Sequence, residues 1–168
     1  MKKVAYIASE CVPFIKTGGL ADVVGTLPRI FDKKEYDVRV IIPNYMCLPA
    51  KFKEKMRYLT HFHMDIGWKQ QYVGVMYLEY EGVPVYFIDN EYYFNGFNIY
   101  SDDMKWDIEK FCYFSITIIS HSSQFNTKPS HSLFQLISLM WLIITIIFRI
   151  NLINILRYLF IFIRLSFK

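Results

Sequence analysis

The sequence predicts an α/β fold, because its first 42 residues alternate an apolar strand, an amphipathic helix and a second apolar strand. Residues 4–8 form a short continuous apolar run, which is typical of a strand covered on both faces of a parallel sheet. Residues 38–42 form a second such run, after a polar connector over residues 32–37. Strand, helix and strand in this order are a βαβ unit, whose ligand crevice lies beyond the carboxyl ends of the strands.

The helix of this unit is predicted from apolar side chains that recur at spacings of three and four residues. Such a spacing places them on one stripe of a helix, which we expect to face the sheet. The stripe consists of Leu20, Val23, Val24, Leu27, Ile30 and Phe31.

A β-hairpin is predicted further along the chain. Residues 71–78 and 83–88 have the composition of strands, and Glu81 and Gly82 join them in a way that is typical of a tight turn.

The residues before this hairpin include the side chains that metals bind. His61, His63 and Asp65 alternate along the chain, and histidine and carboxylate are common zinc ligands. Alternate residues of a strand share one face, however, and are more often ordinary sheet positions. We therefore expect no metal site here.

An aromatic segment follows the hairpin at residues 92–100. Aromatic rings this dense either stack on sugar rings or pack against one another, and the sequence leaves both interpretations open.

A candidate anion site lies between the first strand and the helix, at Lys16, Gly18 and Gly19. A flexible turn before a helix presents free backbone N–H groups, and a lysine ammonium beside them favours a bound anion. The spacing is neither the dinucleotide pattern G-x-G-x-x-G nor the Walker pattern, because the lysine precedes the glycines. The alternative is that the glycines only let the chain turn into the helix.

A longer stretch around this site resembles the N-terminal signature of bacterial glycogen synthases and plant starch synthases. The stretch reads SECVPFIKTGGLADVVGTLP over residues 9–28. The resemblance implies that Lys16 contacts the phosphates of ADP-glucose and that Gly18 and Gly19 bring the backbone close to this donor. It also implies that Asp22 and Tyr100 face the same cleft.

Looser similarity to the same family continues at residues 38–43, 82–90 and 107–115. In the last segment Lys110 stands where the family usually has arginine, which keeps the charge and loses the two-pronged guanidinium. After Ser115 we find no further resemblance.

The resemblance implies a fold and an activity. Residues 1–115 would be part of the Rossmann-like N-terminal domain of a GT-B glycosyltransferase. The whole enzyme would transfer glucose from ADP-glucose to the non-reducing end of an α-1,4-glucan, without metal or other cofactor. The family's His-Asp-Trp segment and its second domain are not found in this sequence, so the catalytic residues stay unassigned and the chain alone is expected to be inactive.

Charge and cysteine content limit other functions. All fifteen acidic residues precede Lys110 with thirteen of the nineteen basic ones, so the first part carries −2 and the net charge of +4 is no argument for nucleic-acid binding. The three cysteines, Cys11, Cys47 and Cys112, lack C-x-x-C spacing and predict no disulfide scaffold. The first residues lack the apolar stretch of a signal peptide, which favours a cytoplasmic location.

Residues 116–168 form an apolar, basic tail of unusual composition. From Lys110 onward the chain contains no glycine, alanine, valine, aspartate or glutamate, five common residue types whose codons all begin with G. This pattern predicts an out-of-frame translation of an AT-rich gene, beginning near Ser115. The alternative is a non-catalytic fragment that contacts a membrane through this tail, although its apolar run over residues 136–148 is shorter than the roughly 20 residues a spanning helix needs.

Overall fold

The computed structural model describes residues 2–66 and 69–120. They form five strands and four helices. The strands are β1 (Lys2–Ile7), β2 (Tyr36–Pro43), β3 (Arg57–Ile66), β4 (Lys69–Tyr80) and β5 (Val83–Asp89), and the helices are α1 (Gly19–Ile30), α2 (Ala50–Lys53), α3 (Glu91–Phe94) and α4 (Met104–Ser120). The α/β fold expected from the sequence is therefore confirmed.

The strands build one mixed sheet in the order β1-β2-β5-β4-β3. β1 pairs with β2 and β2 pairs with β5 in parallel, whereas β4 and β3 continue the sheet antiparallel. The predicted βαβ unit is β1-α1-β2. Because three neighbouring strands run in one direction, their carboxyl ends meet at one edge of the sheet, as a doubly wound fold requires.

The predicted hairpin is β4-β5, and its turn contains the two residues named from the sequence. Glu81 has φ 50° and Gly82 has φ 73°, so both central residues adopt the left-handed conformation. Two successive positive φ angles are what a two-residue hairpin turn needs to match the twist of its strands.

The buried face of α1 differs from the predicted stripe. Val23, Leu27 and Ile30 are exposed, and Phe31 lies beyond the end of the helix. Of the predicted residues only Val24 is buried; the helix buries Ala21, Val24, Gly25 and Pro28. One physical reason is the close approach of α1 to the preceding loop, which leaves no room for a side chain at Gly25.

Helix α4 covers the antiparallel side of the sheet. The Tyr113 hydroxyl donates to the Tyr72 carbonyl at 2.8 Å, and the Thr117 hydroxyl lies 3.9 Å from the sulfur of Met64. Thr117 and Ile118 are 0% and 2% exposed. The helix therefore runs through Ser115 without a break, and the residues on both sides of Ser115 pack in the same domain.

The remainder of the predicted tail, residues 121–168, lies outside the described residues, so its out-of-frame origin and its membrane contact stay predictions. Within residues 2–66 and 69–120, no helix has the length and apolar character that crossing a membrane requires.

We expect Gly25→Ala to lower the stability of the full chain by about 2 kcal/mol, a typical cost of overpacking. A Cβ at Gly25 would lie 2.3 Å from Cγ2 and 2.4 Å from the carbonyl oxygen of Val12. The helix or the loop must then move. Urea denaturation followed by circular dichroism measures the change.

Gly19→Ala is the matched control, because no heavy atom lies within 4 Å of a Cβ built on Gly19. Its denaturation midpoint should stay at or slightly above that of the wild type, since alanine favours helix more than glycine. Equal destabilisation by both substitutions would contradict the packing explanation.

Candidate functional site

The candidate site lies at the edge where the parallel strands end. Ser9 and Glu10 follow β1, and Asn44 follows β2 at the same edge. The Ala8 N–H donates to the Ile41 carbonyl at 3.1 Å, and the Asn44 N–H donates to the Ile88 carbonyl at 2.8 Å. These bonds extend the β1–β2 and β2–β5 pairings by one residue beyond the ends of β1 and β2. The βαβ pattern predicts a ligand at this edge, and that position stays a prediction.

The first half of this loop is a compact turn over residues 11–15. Cys11 and Ile15 pair as an isolated bridge, with the Cys11 N–H donating to the Ile15 carbonyl at 3.1 Å. The Val12 N–H donates to the Ala21 carbonyl at 3.1 Å and ties the turn to α1. Phe14 is buried, and its ring packs edge-on against three other rings, which anchor the turn in the core; they belong to Phe52, Tyr80 and Phe87.

Cys11 lies buried at this edge. Its thiol is buried, and burial raises its pKa to about 12 although Arg29 lowers it in part. A thiol with this pKa stays protonated at neutral pH and is a poor nucleophile.

Lys16 and Asp22 form an ion pair at the mouth of the site. The Lys16 ammonium donates to both carboxylate oxygens of Asp22, at 2.8 and 2.7 Å. The two side chains are 51% and 53% exposed, and exposed pairs of this kind contribute little to stability. The sequence placed both residues at one cleft, and the structure brings their side chains into direct contact.

Gly18 and Gly19 leave open space beside this pair. Gly18 has an extended backbone, with φ −151° and ψ −166°, and neither glycine has a positive φ. A Cβ on Gly18 would meet only Oε1 of Glu10 at 3.7 Å, and a Cβ on Gly19 would meet nothing within 4 Å. The turn therefore does not require glycine at either position. What the two glycines supply is room above the first turn of α1.

The start of α1 provides donors for that space. The first N–H groups of a helix have no intrahelical partner, and they carry the positive end of the helix dipole. Gly18 precedes the helix as its cap residue without a side chain to occupy these donors. The N–H groups of Gly19 and Leu20, together with the Lys16 ammonium, are suited to a phosphate.

Sequence reasoning missed Glu10, which lies beneath the loop. Its side chain is 0% exposed, and its Oε2 accepts hydrogen bonds from the Thr17 N–H, the Thr17 hydroxyl at 2.8 Å and the Gly18 N–H at 3.3 Å. A polar residue between an apolar strand and a glycine turn was the available signal, but its burial depends on the folded loop.

Tyr100 reaches the same edge from the aromatic segment. Its hydroxyl lies 2.9 Å from the Ser9 hydroxyl, and burial raises its pKa to about 12. Tyr100 thus lies next to the loop after β1, and the cleft position that the resemblance implied for it stays a prediction.

Lys110 tethers the segment that carries Tyr100. Its ammonium, 3% exposed, donates to the Ile99 carbonyl at 2.5 Å and to Asp107 Oδ1 at 2.7 Å. Asp107 in turn accepts from the Ser101 N–H at 2.9 Å and the Ser101 hydroxyl at 3.1 Å. The Ile99 carbonyl and the Asp107 carboxylate each accept one N–H bond of the ammonium. A lysine therefore binds both groups, although it lacks the two-pronged guanidinium of arginine.

The other aromatic residues of this segment mostly pack. Tyr93 is buried and stacks on Tyr113 with ring centroids 4.4 Å apart and on Trp106 at 5.6 Å. Tyr92 packs edge-on against Trp106 at 5.1 Å. Of the two interpretations left open by the sequence, packing applies to these rings, whereas Phe97 is 89% exposed.

His61 and His63 lie on β3 and contact rings, as ordinary sheet positions do. His61 stacks on Tyr72 at 5.8 Å and shares a hydrogen bond with the Tyr58 hydroxyl. His63 packs edge-on against Tyr72 at 5.9 Å. In the part of the chain that the structure describes, no group of three or more His, Cys, Asp or Glu side chains is arranged to hold a metal ion.

Comparison with known proteins shows one family. The profile of the family described as "Starch synthase catalytic domain" matches residues 3–132. A glycogen synthase from Lachnospira eligens is 58% identical over 132 residues, and one from Lachnoclostridium phytofermentans is 54% identical over 129 residues. Each alignment covers 77% of this chain and 27% of the relative, so the chain spans about a quarter of the length of these relatives.

A solved structure supports the same likeness. The catalytic domain of starch synthase IV from Arabidopsis thaliana, bound to ADP and acarbose, matches with a TM-score of 0.65 and 29% sequence identity, over 77% of this chain and 27% of that one. The mixed sheet and helices thus match a GT-B glycosyltransferase catalytic domain. The profile match to residue 132 also extends past Ser115, so the resemblance ends later than the sequence analysis placed it.

Lys110→Met should destabilise the full chain by about 3 kcal/mol, the usual cost of removing one partner from a buried ion pair. The substitution leaves the Ile99 carbonyl and Asp107 without their shared donor, so residues 99–101 should lose hydrogen-exchange protection first. Lys105→Met, on an exposed position of the same helix, is the control and should change neither quantity. Equal protection of residues 99–101 in both variants would show that Lys110 does not tether the segment.

Proposed function

Because this chain belongs to the starch synthase catalytic domain family, we propose that residues 16–19, the glycine loop, bind the diphosphate of ADP-glucose. The full-length protein would transfer glucose from this donor to the non-reducing end of an α-1,4-glucan. The observation that carries the proposal is the open space at Gly18 and Gly19, bounded by the Lys16 ammonium and the N-terminus of α1.

The electrostatics of the site suit a leaving diphosphate. As the glycosidic bond to ADP breaks, negative charge develops on the phosphate oxygens, and fixed donors stabilise that charge. The Lys16 ammonium and the N–H groups of Gly19 and Leu20 are such donors. Lys16 exchanges its exposed partner Asp22 for a phosphate oxygen at little cost, because the pair is already solvated.

Tyr100 borders the same edge through its contact with Ser9. With the pKa of its phenol at about 12, the hydroxyl keeps its proton at neutral pH and is able to donate to a ligand oxygen. In this proposal Tyr100 and Asp22 flank the donor sugar nucleotide, and Lys16 binds its phosphates. In this proposal the catalytic residues lie elsewhere in the full-length protein. ADP-glucose is the donor substrate, and we propose no cofactor.

The proposal includes a cytoplasmic location. Cys11, Cys47 and Cys112 are free thiols, which is typical of proteins in a reducing compartment.

Lys16→Ala should weaken ADP binding to the full chain by about tenfold or more, because one charge-assisted bond to phosphate contributes about 1.5–3 kcal/mol. Isothermal titration with ADP, and with UDP to compare the bases, measures the change. Lys34→Ala, an exposed lysine in the turn after α1, is the control and should leave the affinity unchanged. Adenosine lacks phosphate, so its weaker binding should not respond to Lys16→Ala; an equal loss for adenosine would contradict phosphate recognition.

The 168-residue chain should not transfer glucose on its own, since it spans 27% of its relatives' length. The measurement is incorporation of radiolabelled glucose from ADP-glucose into an α-1,4-glucan, with the full-length Lachnospira eligens relative as the positive control. Incorporation by this chain that disappears with Lys16→Ala would show that it is active by itself.

A further inference from the structure

Glu10 is a buried carboxylate in direct contact with the proposed phosphate loop. Its side chain is fully buried, and one oxygen, Oε2, accepts from two successive backbone N–H groups and from the Thr17 hydroxyl. Within residues 2–66 and 69–120, no lysine or arginine forms an ion pair with it. The N–H groups of Thr17 and Gly18 therefore provide the positive partial charges that face this carboxylate.

This arrangement divides the donors of the loop between two sides. The N–H groups of Thr17 and Gly18 point inward to Glu10 and are not available to an anion. The Lys16 side chain, 51% exposed, and the first N–H groups of α1 remain on the outer side. Glu10, although fully buried, thus sets which N–H groups of residues 17–20 are available to a ligand.

The second oxygen of Glu10 carries a cost in stability. Oε1 is buried and receives no hydrogen bond from any described residue, and such an acceptor costs about 1–3 kcal/mol. A Cβ built on Gly18 would lie 3.7 Å from Oε1, so this oxygen borders Gly18. A residue kept at a stability cost against a loop of this kind is typical of a functional site.

We propose that Glu10 is a positioning residue of the diphosphate site: it holds Thr17 and Gly18 inward so that Lys16 and the start of α1 present their donors outward. The inference rests on the proposed function, because the ligand of the site is the diphosphate named there. It adds a residue that contacts the loop and not the ligand.

The test combines the amide signals of the loop with ADP affinity, both measured on the full chain. Glu10→Ala should move the Thr17 and Gly18 amide protons upfield, remove their protection from exchange and weaken ADP binding about tenfold or more. Glu10→Gln keeps an oxygen that accepts both N–H bonds, so protection should persist and the affinity should stay within about threefold of the wild type. Glu35→Ala, an exposed glutamate in the turn before β2, should change none of these quantities.

The outcomes separate this inference from the proposed function. Unchanged Thr17 and Gly18 amides in Glu10→Ala overturn the positioning role, as does a loss of ADP affinity in Glu10→Gln equal to that in Glu10→Ala, which would indicate an effect of charge. If Glu10→Ala does not fold, Glu10→Gln decides: Thr17 and Gly18 protection that persists with an ADP affinity within about threefold of the wild type supports the positioning role, and a tenfold loss of affinity with that protection intact overturns it. Failure of the wild type to bind ADP, with the amide changes as expected, would overturn the diphosphate proposal and leave Glu10 as the residue that orders the loop.

Discussion

The close approach of α1 to the turn over residues 11–15 is the constraint on which the rest of the site depends. Gly25 lies directly against the backbone of Val12, with no space for a Cβ, and the Val12 N–H donates to Ala21 one turn earlier. These two contacts determine where the helix begins. They therefore place the free N–H groups of its first turn and the glycines before it at the carboxyl end of β1, where a parallel sheet binds ligands.

Buried charged side chains hold two segments of the chain at this edge. Glu10 is fully buried, and its Oε2 accepts from the N–H groups of Thr17 and Gly18. Lys110 has a similar role on the segment after α3, where one buried ammonium holds Ile99 and Asp107. In both places a buried charge is tolerated because it accepts or donates several hydrogen bonds at once.

The order of the sheet explains why the described residues contain one side of a ligand site. β1, β2 and β5 are parallel and present their carboxyl ends together, whereas β3 and β4 turn back and extend the sheet away from that edge. The loop after β1 and the segment around Tyr100 both reach the edge, and the 2.9 Å contact between Ser9 and Tyr100 joins them. The residues for which we propose a role in diphosphate binding thus lie at one edge of the sheet.

The sequence by itself determined the βαβ unit, the hairpin with its turn at Glu81 and Gly82, and the family, because these depend on local spacing and on a contiguous signature. The tertiary structure alone decided which face of α1 is buried: the apolar spacing of Val23 and Leu27 predicted the wrong face, since the helix packs against Val12 at Gly25, where no side chain fits. It also decided the burial of Glu10. Whether a carboxylate is solvated or enclosed depends on how the folded loop closes over it, and residue spacing does not specify that.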